Sequence, residues 1–404
     1  MNRKKLSGIL ALTLSAVVLA GCSVDGGNGR GASEEFDAST PIEGADQGTF
    51  DASPDEIREG LKADPWWAPS LFVDCDATDD AACEGEATEG VYNAIPSDLA
   101  TEDWRICAVV PHLSDAYWVA VNYGMVEEAR RLGVNLDFYE AGGYTELSTQ
   151  VSQIDDCVAG GADAVIIGAI SADGLKAKVD QLVAQGTVVI DALNGIVNPD
   201  VDARSVLSWR RIGTTVGDYL ANQGGSANVA WFPGPPGAGW AEDANDGFAE
   251  AVQGSGVDVV ETKYGDTDKD TQLRLIEDTL QANDGVTVIA GNAVGADAAA
   301  AAGFADKATI IGSYMTPETL ANIERGKVAC AATDQPAVQA RVAVDMTVRL
   351  LQGIPLDEGM RRAYPAPYLV CGEATENAQP VSQFVAETTF APEGWKPVFT
   401  VKAD

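Results

Sequence analysis

From Trp104 onward the chain repeats one pattern, a short apolar run followed by an amphipathic stretch of helical period. Apolar runs fall at Ile106–Val110, Asn135–Tyr139, Ala164–Ile170 and Val188–Asp191, with helical stretches near Asp115–Leu132, Thr145–Ala159 and Gly174–Gln185. Gly133 and Gly186 stand where helix stops are expected. Successive strands separated by helices pair in parallel, so the pattern predicts a doubly wound α/β unit. A second series follows, with runs at Asn228–Phe232, Val257–Tyr264, Val286–Ala290 and Ala308–Ile311 and helices near Ile212–Asn222, Gly239–Val252, Lys269–Ala282 and Ala293–Gly303. Two such units predict two Rossmann-like lobes with a ligand cleft between them. A further strand at Val328–Ala332 stops at Thr333, Asp334, Gln335 and Pro336 before a helix over Ala337–Leu351, a place for the chain to cross between lobes.

The stretch Val109–Gly124, VVPHLSDAYWVAVNYG, reads as strand, loop and helix, with Ser114 or Asp115 as the cap. Strand ends and the first turns of the helices that follow line the crevice of an open sheet, which directs Asp115, Tyr117 and Trp118 toward it. A carboxylate beside two large rings suits a small cationic or dipolar ligand. The competing assignment is core, the commonest place for aromatic residues at a helix start. Asp191, Asn194, Asn292 and Asp334 also end strands or begin loops at the predicted crevice, where each either touches ligand or caps a helix or turn.

The chain begins with an export signal: Arg3, Lys4 and Lys5, then the apolar Ile9–Val18, then Leu19-Ala20-Gly21-Cys22, which resembles a lipobox. Cleavage after residue 21 and lipidation of Cys22 would leave a body tethered outside the cytoplasmic membrane, held by its lipid anchor alone. Residues 22–60 are poor in aliphatics and rich in Gly, Ser, Asp and Glu, the composition of an acidic disordered tether. Residues 61–103 contain PWWAPSLFV around Trp66 and Trp67 and are expected to be an N-terminal extension packed on the body; an exposed partner-binding patch is the alternative. The formal charge is −35, and residues 22–103 carry about half of it. So acidic a surface repels nucleic acid and anionic lipid.

Six cysteines remain once Cys22 is set aside, and in an exported protein they are disulfide candidates with fifteen possible pairings. Locality favours Cys75 with Cys83, while Cys107 on the first strand could meet Cys157 on the second helix of the same lobe and Cys330 could meet Cys371 on late strands. With no CxxC and a single histidine, His112, neither a metal site nor a Ser or Cys triad is expected. Gly234, Gly237 and Gly239 do not make GxGxxG, and Pro235 and Pro236 remove N–H groups that a phosphate would need, so no cofactor is expected. The chain reads as a binding protein, not an enzyme.

Three long strings, RICAVVPHLSDAYWVAVNYGMVEEARRLGV, FYEAGGYTELSTQVSQIDDCVAGGADAVIIGAISADGL and VAWFPGPPGAGWAEDANDGF, resemble the TorT branch of the type I periplasmic binding proteins. The resemblance covers about Trp104 to Gly353; the acidic leader and lipobox depart from it. It implies two lobes joined by three crossovers, with residues 104–207 plus about 335–364 in one and 208–334 plus about 365–404 in the other. Its pocket residues fall on Asp115, Tyr117 and Trp118 through the Asp-x-Tyr-Trp string, and on Tyr144 after the Gly-Gly turn. Trp209, Trp240 and Tyr314 are the implied wall from the second lobe. The implied ligand is trimethylamine N-oxide or a related small methylated amine, and the implied partner a membrane sensor histidine kinase. The alternative is the substrate-binding subunit of an ABC importer for a sugar or other small solute, working with an ABC permease.

Overall fold

The two strand–helix series build two separate sheets in the computed structural model, which describes residues 47–75, 82–356, 359–375 and 378–403. The expected signal segment 1–21, Cys22 and the leader as far as residue 46 lie outside the described residues. In chain order, helix α1 (Pro54–Gly60) and strands β1 (Trp67–Val73) and β2 (Ala87–Asn93) come first. The first series is β3 (Arg105–Val110), α2 (Ala116–Arg131), β4 (Asn135–Glu140), α3 (Leu147–Ala159), β5 (Ala164–Ile167), α4 (Lys176–Ala184), β6 (Val188–Ala192) and β7 (Ala203–Ser205). The second is α5 (Trp209–Asn222), β8 (Ala227–Phe232), α6 (Gly239–Val252), β9 (Val257–Thr262), α7 (Lys269–Ala282), β10 (Val288–Gly291), α8 (Ala293–Ala301), β11 (Thr309–Gly312), α9 (Pro317–Glu324) and β12 (Cys330–Ala332). Helix α10 (Pro336–Leu351) and strands β13 (Arg362–Pro365), β14 (Leu369–Cys371), β15 (Gln379–Pro380) and β16 (Thr400–Val401) complete the described chain.

The first sheet runs β16-β4-β3-β5-β6-β7-β13-β1-β2 and the second β15-β14-β12-β11-β10-β8-β9. In each, the strands of the repeated series pair in parallel, as Ile106 does with Leu136 and Ala164, or Val288 with Val229 and Thr309. Buried apolar clusters cover both faces of each sheet, which is why the central strands are apolar along their whole length. Gly133 and Gly186, with φ of 65° and 77°, take the left-handed conformation that ends a helix.

The chain passes between the sheets after β7, returns after β12, and leaves again after β13 for β14. It then returns once more, because β16 pairs antiparallel with β4 through Thr400–Asp137 and Val401–Leu136. The segment 365–404, expected whole in the second lobe, is therefore divided: β14 and β15 extend the second sheet and β16 closes an edge of the first.

For the N-terminal region one expectation needs correction, and of the two readings of residues 61–103 the packed extension is the one the structure has. The tether expected up to residue 60 does not extend that far, since Ser53 and Glu56 form a capping box on α1 and Gly60 is buried. Nor is PWWAPSLFV an exposed patch: Trp66 is 0% and Trp67 8% exposed. β1 instead pairs antiparallel with both β13 and β2 and adds two strands to the first sheet.

Two buried carboxylates hold this extension. Glu128 of α2 accepts from the Trp66 indole N–H at 2.8 Å, from Arg341 at 3.0 Å and from Arg131. Asp345 of α10 accepts from the Tyr92 hydroxyl at 2.6 Å, the Ile95 amide at 2.9 Å and Arg349 at 2.8 Å. Arg341 also lies 4.3 Å over the Trp66 ring, which stacks on Tyr92. Despite burial, the arginines hold Glu128 below the usual carboxylate range.

Three disulfides form, Cys75–Cys83, Cys107–Cys157 and Cys330–Cys371, the last between residues directly opposite on β12 and β14. Among the described residues no helix is long and apolar enough to cross a membrane, and no cluster of three or more His, Cys, Asp or Glu is placed to hold a metal ion.

Glu128→Ala leaves two arginines without their buried counter-charge and is expected to cost about 3–5 kcal/mol of unfolding free energy. Urea denaturation measures this, and a midpoint equal to that of the wild type would show that the extension docks by apolar contact alone.

Candidate functional site

The loop between β3 and α2 opens the site because Asp115 is spent on the helix. Its carboxylate accepts from the Trp118 amide at 3.0 Å, placing Tyr117 and Trp118 in the first turn. Residue 168 must be glycine for the Trp118 ring to lie there, since a Cβ would come within 2.8 Å of it. Tyr144 follows Gly142 and Gly143, whose φ values of 103° and 148° turn the chain after β4.

The elements of the second sheet supply the opposite wall. Trp209 begins α5 behind its cap Ser208, Trp240 lies in the first turn of α6, and Tyr314 follows β11. Gly234, at φ 143°, leaves the space for Trp240; a Cβ there would stand 2.4 Å from the ring. Tyr117 lies 5.3 Å from Trp118 and 5.5 Å from Tyr314, centroid to centroid. Trp209 lies 5.3 Å from Trp240, which in turn lies 6.0 Å from Tyr314 and 6.3 Å from Tyr144. These six rings, with Asp115, Asn194 and Thr267, line one small cavity.

All seven residues expected at the pocket thus line one cavity. The choice between core and pocket proves false for Trp118, which is 2% exposed and belongs to the buried apolar cluster while facing the cavity. Thr267, in the loop after β9, escaped the sequence reading; its position past a strand end was the signal. Asn194 lines the cavity and donates to the Tyr144 hydroxyl at 3.0 Å.

Two of the other candidates serve the fold. Asp191 is bonded to the Ile196 amide and to Arg204, tying β6 to β7, because a buried carboxylate at a strand end found a cation on the next strand. Asn292 caps α8 through the Gly295 amide and donates to Phe232 and Gln272, which uses its polar atoms. Neither lines the cavity. His112 is buried behind Tyr144 and Trp118, 2.8 Å from the Ser114 hydroxyl.

Asp334 does not line the cavity either, but it differs in its partners. It is fully buried at the crossing into α10, and neither of its carboxylate oxygens, nor the Tyr117 hydroxyl, has a hydrogen-bond partner of good geometry among the described residues. Burial pushes its carboxyl up to about 8, against the Tyr117 hydroxyl and nearby backbone amides. Burial also lifts the Tyr117 and Tyr314 hydroxyls well above their ordinary range, with Asp334 acting on both. They remain donors at any physiological pH. The Tyr144 oxygen accepts from both Asn194 and the Trp240 indole N–H at 3.1 Å, so its own proton is left to donate.

None of the lining residues is basic, and two carboxylates stand in or behind the rings. The cavity rejects anions and suits a small cation or dipole with an apolar body. Leu193, in the loop between β6 and β7, and Gln335, at the crossing from β12 into α10, both have positive φ (69° and 53°). Such conformations persist in residues other than glycine only where the surroundings enforce them.

The profile of the periplasmic binding protein domain matches residues 106–355. The chain belongs to the periplasmic binding protein family, whose members bind and sense rather than catalyse. Periplasmic protein TorT of Escherichia coli K12 is 34% identical over 74% of this chain and 85% of its own length. An ABC transporter solute binding protein from Bradyrhizobium sp. BTAi1, solved with bound bis-tris, is 40% identical and superposes with a TM-score of 0.68 over 82% of this chain and 98% of that one. The complex of the TorS sensor domain with TorT in the presence of TMAO (trimethylamine N-oxide) contains a chain 28% identical to this one, with a TM-score of 0.64 over 74% of this chain and all of that one.

Folded Asp334 keeps its proton to about pH 8, whereas the unfolded side chain releases it near the ordinary carboxylate pKa of about 4. The folded chain binds more protons between those values, so this group's contribution makes stability fall as pH rises through that window. Asp334→Asn is therefore expected to raise Tm at pH 9 and leave it nearly unchanged at pH 4. Equal shifts at both values, measured by calorimetry, would show that the carboxyl is not held neutral.

Proposed function

We propose that this protein binds trimethylamine N-oxide, or a closely related small methylated amine, between its two lobes and reports the bound state to a membrane sensor histidine kinase. The observation that carries this is the cage itself: six rings from elements of both sheets around a small cavity without a basic lining residue. Ring faces enclose the methyl groups on a positive nitrogen, each desolvated contact contributing about 2 kcal/mol. The free protons of the Tyr144 and Tyr117 hydroxyls are donors for an N-oxide oxygen. Asp115, and Asp334 once it loses its proton, supply the negative field on the nitrogen. TorT, which assembles with the TorS sensor domain, supports the choice of partner. Bis-tris in the Bradyrhizobium relative is itself a hydroxylated tertiary amine, which supports the choice of ligand class.

Closure is the signal on this reading. Walls from the two sheets meet around the ligand, so only the closed arrangement makes every contact, and ligand shifts the population toward it. The protein would be exported and, through Cys22, anchored by lipid on the outer face of the cytoplasmic membrane or in the periplasm. A second reading shares the cage and changes the partner. The Bradyrhizobium protein is an ABC transporter component, which favours an ABC permease and uptake of the same class of amine. A sugar is the less suitable cargo, because paired hydroxyls need charged and amide groups where this cavity presents rings.

Calorimetric titration of the purified protein against trimethylamine N-oxide, glycine betaine, choline and ribose tests the ligand. Saturable uptake of at least one methylated compound and none of ribose is expected, and uptake of ribose alone would refute the proposal. Co-purification with the periplasmic domain of a sensor kinase encoded nearby, stronger with ligand than without, tests the partner.

Charge recognition has its own signature. A permanent cation such as choline is held best when Asp334 is ionised, so its affinity is expected to rise with pH from 6 to 9, with proton release on binding below about pH 8. Asp334→Asn should bind choline about tenfold more weakly, with no pH dependence from this group. Titrations in buffers of different ionisation enthalpy measure the released proton.

A further inference from the structure

Trp209, one wall of the cage, donates its indole N–H to the Leu193 carbonyl at 2.7 Å and directly follows Ser208, the cap of α5. The Ser208 hydroxyl accepts from the Arg211 amide at 3.3 Å, capping α5, and donates to Oε2 of Glu84 at 3.2 Å. The other Glu84 oxygen accepts from Nη2 of Arg362 at 2.6 Å. Arg362 is buried, and its remaining bonds converge on the same place: Nε to the Val206 carbonyl at 2.9 Å, Nη2 to Leu207 at 3.1 Å, Nη1 to Cys83 at 2.6 Å and to Ala82 at 3.3 Å. The first passage from one sheet to the other, Val206–Ser208, is thereby clamped between an arginine and a carboxylate.

That carboxylate belongs to the N-terminal extension. It follows Cys83, which is joined to Cys75 and sits at φ 57°, a conformation that a residue with a Cβ keeps only under constraint. Both Glu84 and Arg362 lie outside the residues matched by the family profile. We propose that Glu84 is a positioning residue of the ligand site: through Ser208 the N-terminal extension sets the angle of Trp209, and with it the affinity of the cage. The proposal rests on the cage being the ligand site. Glu84 also acts on the wall formed by α6. Asp243, one turn beyond Trp240, is pushed up to about 6 by burial and by Glu84, against the pull of Arg362.

The test combines a ligand-dependent with a ligand-independent measurement. With trimethylamine N-oxide as the probe, Glu84→Ala is expected to weaken binding about tenfold. Its effect should shrink to near nothing in a Trp209→Phe background, because the two act through one contact. Hydrogen exchange of the ligand-free protein should accelerate over residues 206–212. Glu84→Gln, which still offers an oxygen to Arg362 and a polar end to Ser208, should recover most of the affinity. Should Glu84→Ala fold poorly, Ser208→Ala cuts the same bond and is expected to give the same loss.

Unchanged affinity in Glu84→Ala, or a penalty that adds in full to that of Trp209→Phe, would overturn the positioning role. If the wild type takes up no trimethylamine N-oxide, it is the proposed function that falls, and the exchange over 206–212 alone decides the proposal: faster exchange in Glu84→Ala supports it and unchanged exchange refutes it.

Discussion

The structure depends on rings from two separate sheets burying one another. Tyr117, Trp118 and Tyr144 come from the elements of one sheet, Trp209, Trp240 and Tyr314 from those of the other, and together they make a continuous buried surface with a hollow in it. Aromatic side chains offer large apolar area with few rotatable bonds, so the wall they form is stiff. Gly168 and Gly234 show how little slack remains, since a methyl group at either would strike an indole. Ionising the buried Asp334 carboxyl behind such a wall is costly to the empty fold. On the proposed reading, a cationic nitrogen is what offsets that cost.

Around this centre the chain adds material outside the span matched by the family profile. The extension joins an edge of the first sheet through β1 and β2, and its docking is specified by ion pairs and indole or phenol hydrogen bonds to Glu128 and Asp345. Buried charges are poor sources of net stability, but they tolerate only one arrangement of partners. The same region reaches the passage between sheets through Glu84 and Arg362. Extension, crossing segment and cage wall therefore form one connected set of contacts.

Much of the fold was legible because its signal is periodic. Long apolar runs alternating with helices of period 3.6 announced the parallel strands and nearly all the helices between them. Short elements were not legible: β7 and β14 are three residues each, β16 is two, and α9 is a PETLANIE segment with little apolar contrast. Polar residues at strand ends were ambiguous for a physical reason. Asp191, Asn292 and Asp334 look alike in one dimension, but Arg204 neutralises the first, a helix end consumes the second, and nothing of good geometry meets the third.

What the sequence determined by itself was local: the alternating pattern that makes two wound sheets, the cap at Asp115 that seats two rings in one turn, and the cysteines near enough to pair. Tertiary structure alone decided which side chains share a cavity, which carboxylate stays unpaired, and that the acidic extension is part of the first sheet. Those outcomes depend on contacts between residues more than a hundred positions apart, such as Tyr117 with Tyr314 at the cavity or Glu84 with Arg362 at the crossing. No pattern along the chain encodes such distances, because they are set by how the two sheets close on each other.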